Sequence, residues 1–229
     1  MDTQLKHGEF TETVVLLTNM RPTNSQLSLL DIQSDTSNKS SINTDDIKFI
    51  PDFLDKTTAD MLFSKLKEFD GWRQDSIKIY GKTHPLPRLN CWFATSQEPY
   101  KWSGIEMKPI PFTDELKPIL ERITNETNTN FNTALGNLYR NGKDSVSWHS
   151  DDEPDLGRNP VIASLSLGET RRFLLRQKKD YSITKSFDLT HGSLLYMSGN
   201  VQNIWEHSIP KTTKDIGIRI NLTFRAIYK

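Results

Sequence analysis

The sequence predicts a mainly β protein with flanking helices, built on a double-sheet jelly roll. Three observations carry that expectation. Eight short strand-like runs follow one another from Ala134 onward, separated by turn residues. Two segments of helical period precede them. The last run, I-G-I-R-I-N-L-T-F-R-A-I-Y, alternates strictly, with Ile216, Ile218, Ile220, Leu222 and Phe224 on one face. Arg219, Asn221, Thr223 and Arg225 share the other.

Taken in order, residues 1–45 are rich in Ser, Thr, Asn and Gln and lack a sustained apolar period. They read as a flexible N-terminal extension, with a linker at Asp31–Asp45 and a possible strand only at Glu12–Leu17. Residues 46–229 read as one folded domain. Ile47–Phe53 opens it as a short strand and turn. Lys56–Asp70 is an amphipathic helix, because Ala59, Leu62, Phe63, Leu66 and Phe69 recur at three and four. Asp55 or Thr57 caps its start and Gly71 follows its end. Trp72–Tyr80 reads as a strand, followed by Gly81-Lys82 and a proline-punctuated stretch. Leu89–Ala94 and Tyr100–Trp102 are further strands. A second helix covers about Asp114–Thr127, capped by Thr113, with Pro118 early enough to kink or restart it. The eight runs are Ala134–Arg140, Val146–His149, Val161–Leu167, Arg171–Arg176, Tyr181–Leu189, Ser193–Met197, Ile204–Ile209 and Gly217–Tyr228.

Charges balance over the chain, 29 basic against 29 acidic. The first 46 residues hold three basic and seven acidic, a net of −4, so the remainder carries +4. That is short of the basic footprint of a tight nucleic-acid binder, and any such binding is expected to be weak and salt-sensitive. Cys91 is the single cysteine, which excludes an internal disulfide and a cysteine-based zinc site. The apolar run Val14–Leu17 is too short to span a bilayer and lacks signal-peptide flanks. The expectation is a monomer without membrane association, not secreted, in a reducing cytoplasm or, in a eukaryote, the nucleus.

The chemistry centres on N-L-Y-R-N-G-K-D-S-V-S-W-H-S-D-D-E. His149 and Asp151 lie two apart, so in an extended segment they share a face. Two ligands hold a metal weakly, and His207 in W-E-H-S-I-P is the best third. Two His and one carboxylate form the facial triad of non-haem Fe(II) oxygenases, which leaves positions open. Asn137 and Tyr139, two apart just upstream, can line the same cavity. Arginines on one face of a strand are costly unless an anion meets them. A dicarboxylic acid would do so through bidentate pairs.

H-S-D, a distal His207 and the R-I-N-L-T-F-R ending together resemble the AlkB family of Fe(II)- and 2-oxoglutarate-dependent dioxygenases, nucleic-acid repair branch. The resemblance runs from about Ile47 to the end and includes A-S-L-S-L-G and H-G-S-L-L. It implies a double-stranded β-helix core with a nucleotide-recognition lid at about residues 72–111. It implies Fe(II) on His149, Asp151 and His207, which are then also the catalytic centre. It implies 2-oxoglutarate and O2 as co-substrates. Arg219 matches the arginine that pairs with the distal carboxylate of 2-oxoglutarate. Asn137, Tyr139 and Asn221 match residues that hydrogen-bond the co-substrate, and Arg225 lies near its metal-bound end and Asp151.

For the substrate, Trp102 matches an aromatic that stacks on a damaged base, and Tyr100 shares its face. Glu153 matches an acidic position near the exocyclic amino group, and Arg88 a basic residue of the lid. Tyr80, in I-Y-G-K, matches a finger that wedges into duplex. His191 matches a histidine that stabilises a turn. Arg171, Arg172, Arg176, Lys178 and Lys179 form a cluster able to meet phosphates, or a solvated hairpin edge. The implied partner is methylated DNA, single- or double-stranded, with RNA as a further candidate. The implied reaction hydroxylates an N-methyl group of the 1-methyladenine or 3-methylcytosine type, releasing formaldehyde, succinate and CO2. An oxygenase acting on protein side chains would share the metal core. A non-catalytic nucleic-acid-binding module would need no open metal site.

Overall fold

A carboxylate at Asp55 starts the first helix. In the computed structural model its Oδ1 accepts the Thr58 N–H at 2.9 Å and its Oδ2 accepts the Thr58 hydroxyl at 2.7 Å, relieving amides that have no intrahelical acceptor. The structure describes residues 46–102 and 105–228, without the side chains of Ile79, Tyr100, Lys101, Trp102 and Ile105. The expected extension at 1–45, with its linker and strand, lies outside the described residues.

The elements run β1 (Ile47–Ile50), α1 (Lys56–Lys67), β2 (Ser76–Ile79), β3 (Lys82–Pro85), β4 (Leu89–Ala94), β5 (Tyr100–Trp102), β6 (Ile105–Met107), α2 (Leu116–Thr127) and β7 (Thr133–Tyr139). They continue with β8 (Val146–His149), β9 (Ile162–Gly168), β10 (Arg171–Gln177), β11 (Thr184–Leu189), β12 (Leu194–Met197), α3 (Val201–Ile204), β13 (Trp205–Ile209) and β14 (Arg219–Arg225). A six-stranded sheet has the order β1-β12-β9-β14-β7-β4, and a four-stranded sheet the order β11-β10-β13-β8. Two hairpins, β2-β3 and β5-β6, stand apart from both sheets.

Period-two alternation sorts the large sheet. Phe93, Leu138, Leu165, Leu167, Ile220, Leu222 and Phe224 pack with Leu62 and Leu66 of α1 and Leu116, Ile119 and Ile123 of α2. Each such side chain contributes about 1.5–3 kcal/mol through burial. The opposite face carries Asn137, Tyr139, Ser164, Ser166, Arg219, Asn221 and Arg225, all buried. Next to it Ile162, Phe173, Leu175, Leu195, Met197, Trp205 and Ile209 form a second core.

Several local expectations change. Helix α1 stops at Lys67, not Asp70, because the Trp72 indole N–H takes the Leu66 carbonyl at 2.7 Å. A continuing helix would offer that carbonyl to Asp70. Gly71 is not the helix cap: a Cβ there would stand 2.4 Å from the Phe69 ring, so it is a packing glycine. Thr113 does not cap α2 with its side chain; its carbonyl accepts from Leu116 at 3.0 Å and Lys117 at 3.1 Å. Pro118 falls in the first turn, where its missing N–H has no intrahelical acceptor, and the helix runs on through it. The strand expected at Trp72–Tyr80 forms only as Ser76–Ile79, and the proline-punctuated stretch after it is β3. Tyr80 at φ 46° and Gly81 at φ 79° make the two-residue turn between them. Two positive φ values match a type I′ hairpin.

Candidate active site

Strands β8 and β13 are antiparallel neighbours, and their register sets His149 directly opposite His207. The ring centroids are 4.2 Å apart. Asp151 lies just past the end of β8, where the Gln202 side-chain carbonyl accepts its N–H at 2.9 Å. Its carboxylate pairs with Arg225 from β14, and its Oδ2 is 3.7 Å from His207 Nε2. One ligand atom from each of His149, Asp151 and His207 lies within 4.8 Å of the others.

The protonation states suit a cation. His149 Nδ1 meets the Ser147 carbonyl at 2.8 Å. A carbonyl only accepts, so Nδ1 donates to it, which leaves Nε2 as the ring atom available to a metal. Burial, reinforced by His149, pushes the His207 imidazole down to about 3 and keeps it neutral. Burial pushes the Asp151 carboxyl up, but the Arg225 guanidinium beside it outweighs burial and holds it below the usual range. Two histidines and one carboxylate are the donor set of a non-haem Fe(II) site with open positions, so the residues fit iron.

Arg219 supplies the second half. It is fully buried, and its Nη2 donates to Ser166 Oγ and Asn221 Oδ1, both at 2.9 Å. Its Nε and Nη1 have no hydrogen-bond partner among the described residues. Burial pushes its pKa down to about 10, which leaves it charged at neutral pH. A buried guanidinium with two open N–H groups fits a carboxylate. The Tyr139 ring centroid lies 5.1 Å from its central carbon. Asn221 Oδ1 also accepts from Ser164 Oγ at 2.9 Å, and its amide nitrogen donates to Thr223 Oγ1 at 2.8 Å.

Asn137, Tyr139, His149, Asp151, His207, Asn221 and Arg225 line one pocket, with Arg88 among them. Arg88 departs from its expected place in a lid. It is buried, donating from Nε to Asn137 Oδ1 at 2.7 Å and from Nη1 to the Ser145 carbonyl at 3.2 Å. It stands two residues before Asn90, so it shares the inward face of β4. Tyr80 and Glu153 are not among the lining residues. Tyr80 is wholly exposed at its hairpin tip. Glu153 precedes a 3-10 turn at Pro154–Leu156 and has one buried carboxylate oxygen without a partner. Tyr100 and Trp102 lie in β5, but their side chains lie outside the described residues.

The basic cluster divides. Arg172 pairs with Asp188, Arg176 with Glu206 and Lys178 with Asp152 on the surface side. Arg171 is buried and is no part of a solvated edge or a phosphate-meeting surface. His191 accepts the Gly168 N–H at 2.8 Å and meets Asp60 of α1 at 3.1 Å, a structural tie.

Sequence reasoning missed Gln202, Ser164 and Ser166. The serines carry a signal, since S-L-S in β9 alternates hydroxyl with leucine. Gln202 sits on α3, four residues with no periodicity to read.

The 2OG-Fe(II) oxygenase superfamily matches residues 46–225. The human alpha-ketoglutarate-dependent dioxygenase alkB homolog 3 is 42% identical over 187 residues, 78% of this chain and 65% of that protein. The chain thus spans just under two thirds of that relative's length. Human DNA oxidative demethylase ALKBH2 is 33% identical over 182 residues, 75% of this chain and 70% of that protein. The solved structure of OsALKBH1 superposes with a TM-score of 0.57 at 18% identity, over 79% of this chain and 97% of that one, a likeness of fold. With the superfamily matching most of its length and AlkB homologues above 30% identity, the chain belongs to the AlkB family of 2OG-Fe(II) oxygenases.

Proposed function

We propose that this protein is an oxidative demethylase of N-methylated nucleobases in DNA, and also in RNA, dependent on Fe(II) and 2-oxoglutarate. The observation that carries the reading is the pocket itself. The His149–Asp151–His207 cluster lines it together with Tyr139 and Asn221, and both of these meet the buried Arg219, whose Nε and Nη1 have no hydrogen-bond partner among the described residues. That combination fits a divalent metal beside a dicarboxylate and has no use in a passive binding module. The names of the two human relatives, a dioxygenase and a DNA oxidative demethylase, point the same way.

In this reading His149, Asp151 and His207 hold the iron, which when bound supplies the one-electron chemistry that activates O2. Arg219 pairs with the distal carboxylate of 2-oxoglutarate. Tyr139, Asn221 and the Asn137 amide orient the rest of it. Arg225 holds Asp151 in place and balances its charge. Arg88 acts through Asn137, whose side-chain oxygen it occupies. Trp102 stacks on the methylated base, Tyr100 extends that surface, and Glu153 accepts from the exocyclic amino group. The base must leave its stack to arrive there. Methylated base, 2-oxoglutarate and O2 become native base, formaldehyde, succinate and CO2. The hydroxymethyl intermediate loses formaldehyde as its N–C bond breaks and the ring nitrogen keeps the electron pair. Residues 46–229 are the catalytic domain and 1–45 an extension; within about 72–111 the lid is the two hairpins, since β4 belongs to the six-stranded sheet. The protein acts as a monomer in the cytoplasm or nucleus, and no helix among the described residues is long and apolar enough to cross a membrane.

The test is formaldehyde and succinate release from oligonucleotides carrying 1-methyladenine or 3-methylcytosine, with unmethylated controls. Product from methylated strands alone is expected; succinate release that no methylated strand stimulates would refute the substrate class. Arg219→Ala should weaken 2-oxoglutarate binding by about 2–5 kcal/mol, the loss for a buried charged pair, with little change in metal affinity. An unchanged requirement for 2-oxoglutarate would remove Arg219 from this role.

A further inference from the structure

Arg171 opens β10 on the inward row it shares with Phe173 and Leu175, and all three are buried. Phe173 stacks on His207 with centroids 5.1 Å apart. Arg171 is one strand period further along, about 7 Å, and does not line the pocket. Its Nη2 donates to the Asp144 carbonyl at 2.9 Å and the Pro210 carbonyl at 2.6 Å, and its Nη1 to the Asn141 carbonyl at 3.4 Å. Those carbonyls belong to the β7–β8 and β13–β14 connections. A Thr212 N–H to Gly142 carbonyl bond of 2.8 Å ties the same two segments. A Cβ at Gly142 would stand 2.6 Å from the Thr212 carbonyl oxygen, so the approach requires glycine.

The Tyr139 ring centroid lies 5.6 Å from the central carbon of Arg171 and 5.1 Å from that of Arg219. One ring thus meets two buried guanidiniums. Neither makes an ion pair with a carboxylate among the described residues. The Asp144 carboxylate acts on Arg171 electrostatically, but it is shared with Arg140, which engages it at 2.8 Å and 2.9 Å. Holding two loops needs donors but not a full buried charge, and an unbalanced buried charge is costly. An anion entering beside Arg219 is drawn by both positive charges, by Arg219 most, since Asp144 offsets part of the Arg171 charge.

We propose that Arg171 is a positioning residue for the dicarboxylate co-substrate, holding Tyr139 and the two loops around Arg219 and adding positive potential without touching the ligand. The inference rests on the reading that Arg219 receives 2-oxoglutarate. Arg171→Met keeps much of the bulk and removes the charge; Arg171→Lys keeps the charge and loses the fork. Calorimetry on the full chain with Mn(II) in place of iron measures 2-oxoglutarate binding apart from turnover. Arg171→Met should bind 2-oxoglutarate about ten-fold more weakly, with Mn(II) affinity within about two-fold, as for coupling through packed neighbours. Arg171→Lys should lose less, and both should raise KM for 2-oxoglutarate while leaving kcat near wild type. A Met variant that binds 2-oxoglutarate like wild type overturns the proposal. So does a fall in kcat with unchanged KM in the Lys variant, which also decides the matter if the Met variant does not fold. Wild type is titrated first. Its failure to bind 2-oxoglutarate would sink the underlying reading and this proposal together; binding that Arg171→Met leaves intact would sink this proposal alone.

Discussion

Asp151 has two partners, and its substitutions will separate them. It sits in the His149–His207 cluster and also neutralises Arg225, a guanidinium as buried as itself. Alanine at His149, Asp151 or His207 should each abolish succinate production in metal-controlled buffer. The stability outcomes should differ. Asp151→Ala strands the Arg225 charge and should cost about 3–5 kcal/mol. His149→Ala removes a half-buried ring and should leave urea unfolding much closer to wild type. Equal stability losses in the two would contradict the Asp151–Arg225 pairing, and turnover in any of the three would contradict the cluster's role. The sequence pointed to all three residues, and the family resemblance set Arg225 near Asp151; the fold closes that contact across 74 positions.

Between β7 and β8 the connection is held by one carboxylate. Asp144 accepts from the Arg140 backbone N–H at 2.9 Å and from its guanidinium at 2.8 Å and 2.9 Å. Burial pushes this carboxyl up, but the Arg140 bonds pull harder and its pKa lies below the usual carboxylate range. A carboxyl lowered on folding stabilises the protein above its unfolded value of about 3.9. That contribution is lost as pH falls through the lower folded value. Asp144→Asn should therefore destabilise the protein at pH 7, with the gap from wild type closing below about pH 4. Urea titrations at both pH values check it, and a gap that widens in acid would contradict the sign.

The β2–β3 hairpin makes a second prediction for a single element. Tyr80 is held at φ 46° and fully exposed. Left-handed backbone costs a side-chain-bearing residue about 1–2 kcal/mol, and exposure recovers none of it through packing. A tyrosine presented in this way is suited to wedge into a base stack. Tyr80→Ala should lower kcat/KM on methylated duplex far more than on the matching single strand, because unstacking costs least in single strands. Trp102→Ala should impair both, since stacking on the base is needed however it is delivered. Equal losses for Tyr80→Ala on the two substrates would take the finger out of the mechanism.

Across the whole molecule, the pocket lies where the two sheets face each other, and its ligands come from both. His149 and His207 stand on the small sheet, and Arg219, Asn221 and Arg225 on the large one. A metal and a dicarboxylate bound there should clamp the sheets together. Mn(II) with 2-oxoglutarate at about one hundred times their dissociation constants should add roughly 2.7 kcal/mol per ligand. A higher Tm in wild type and no shift in His207→Ala are expected from thermal melts. A shift that survives in His207→Ala would place the binding elsewhere.

The sequence by itself determined the fold class, the two helices, most strands and the inward row of β14. Those follow from apolar periodicity, which is local and repeats within a dozen residues. It also singled out His149, Asp151, His207 and Arg219, because residues of such chemistry stand out in short motifs. The tertiary structure decided what needed distant neighbours. The length of α1 depended on the Trp72 indole, the burial of Arg88 and Arg171 on facing strands, and the support of Asp151 on Gln202 and Arg225. A charged residue reads as a surface residue in one dimension. Only the packing of two sheets takes it out of water and leaves its charge for a ligand to balance.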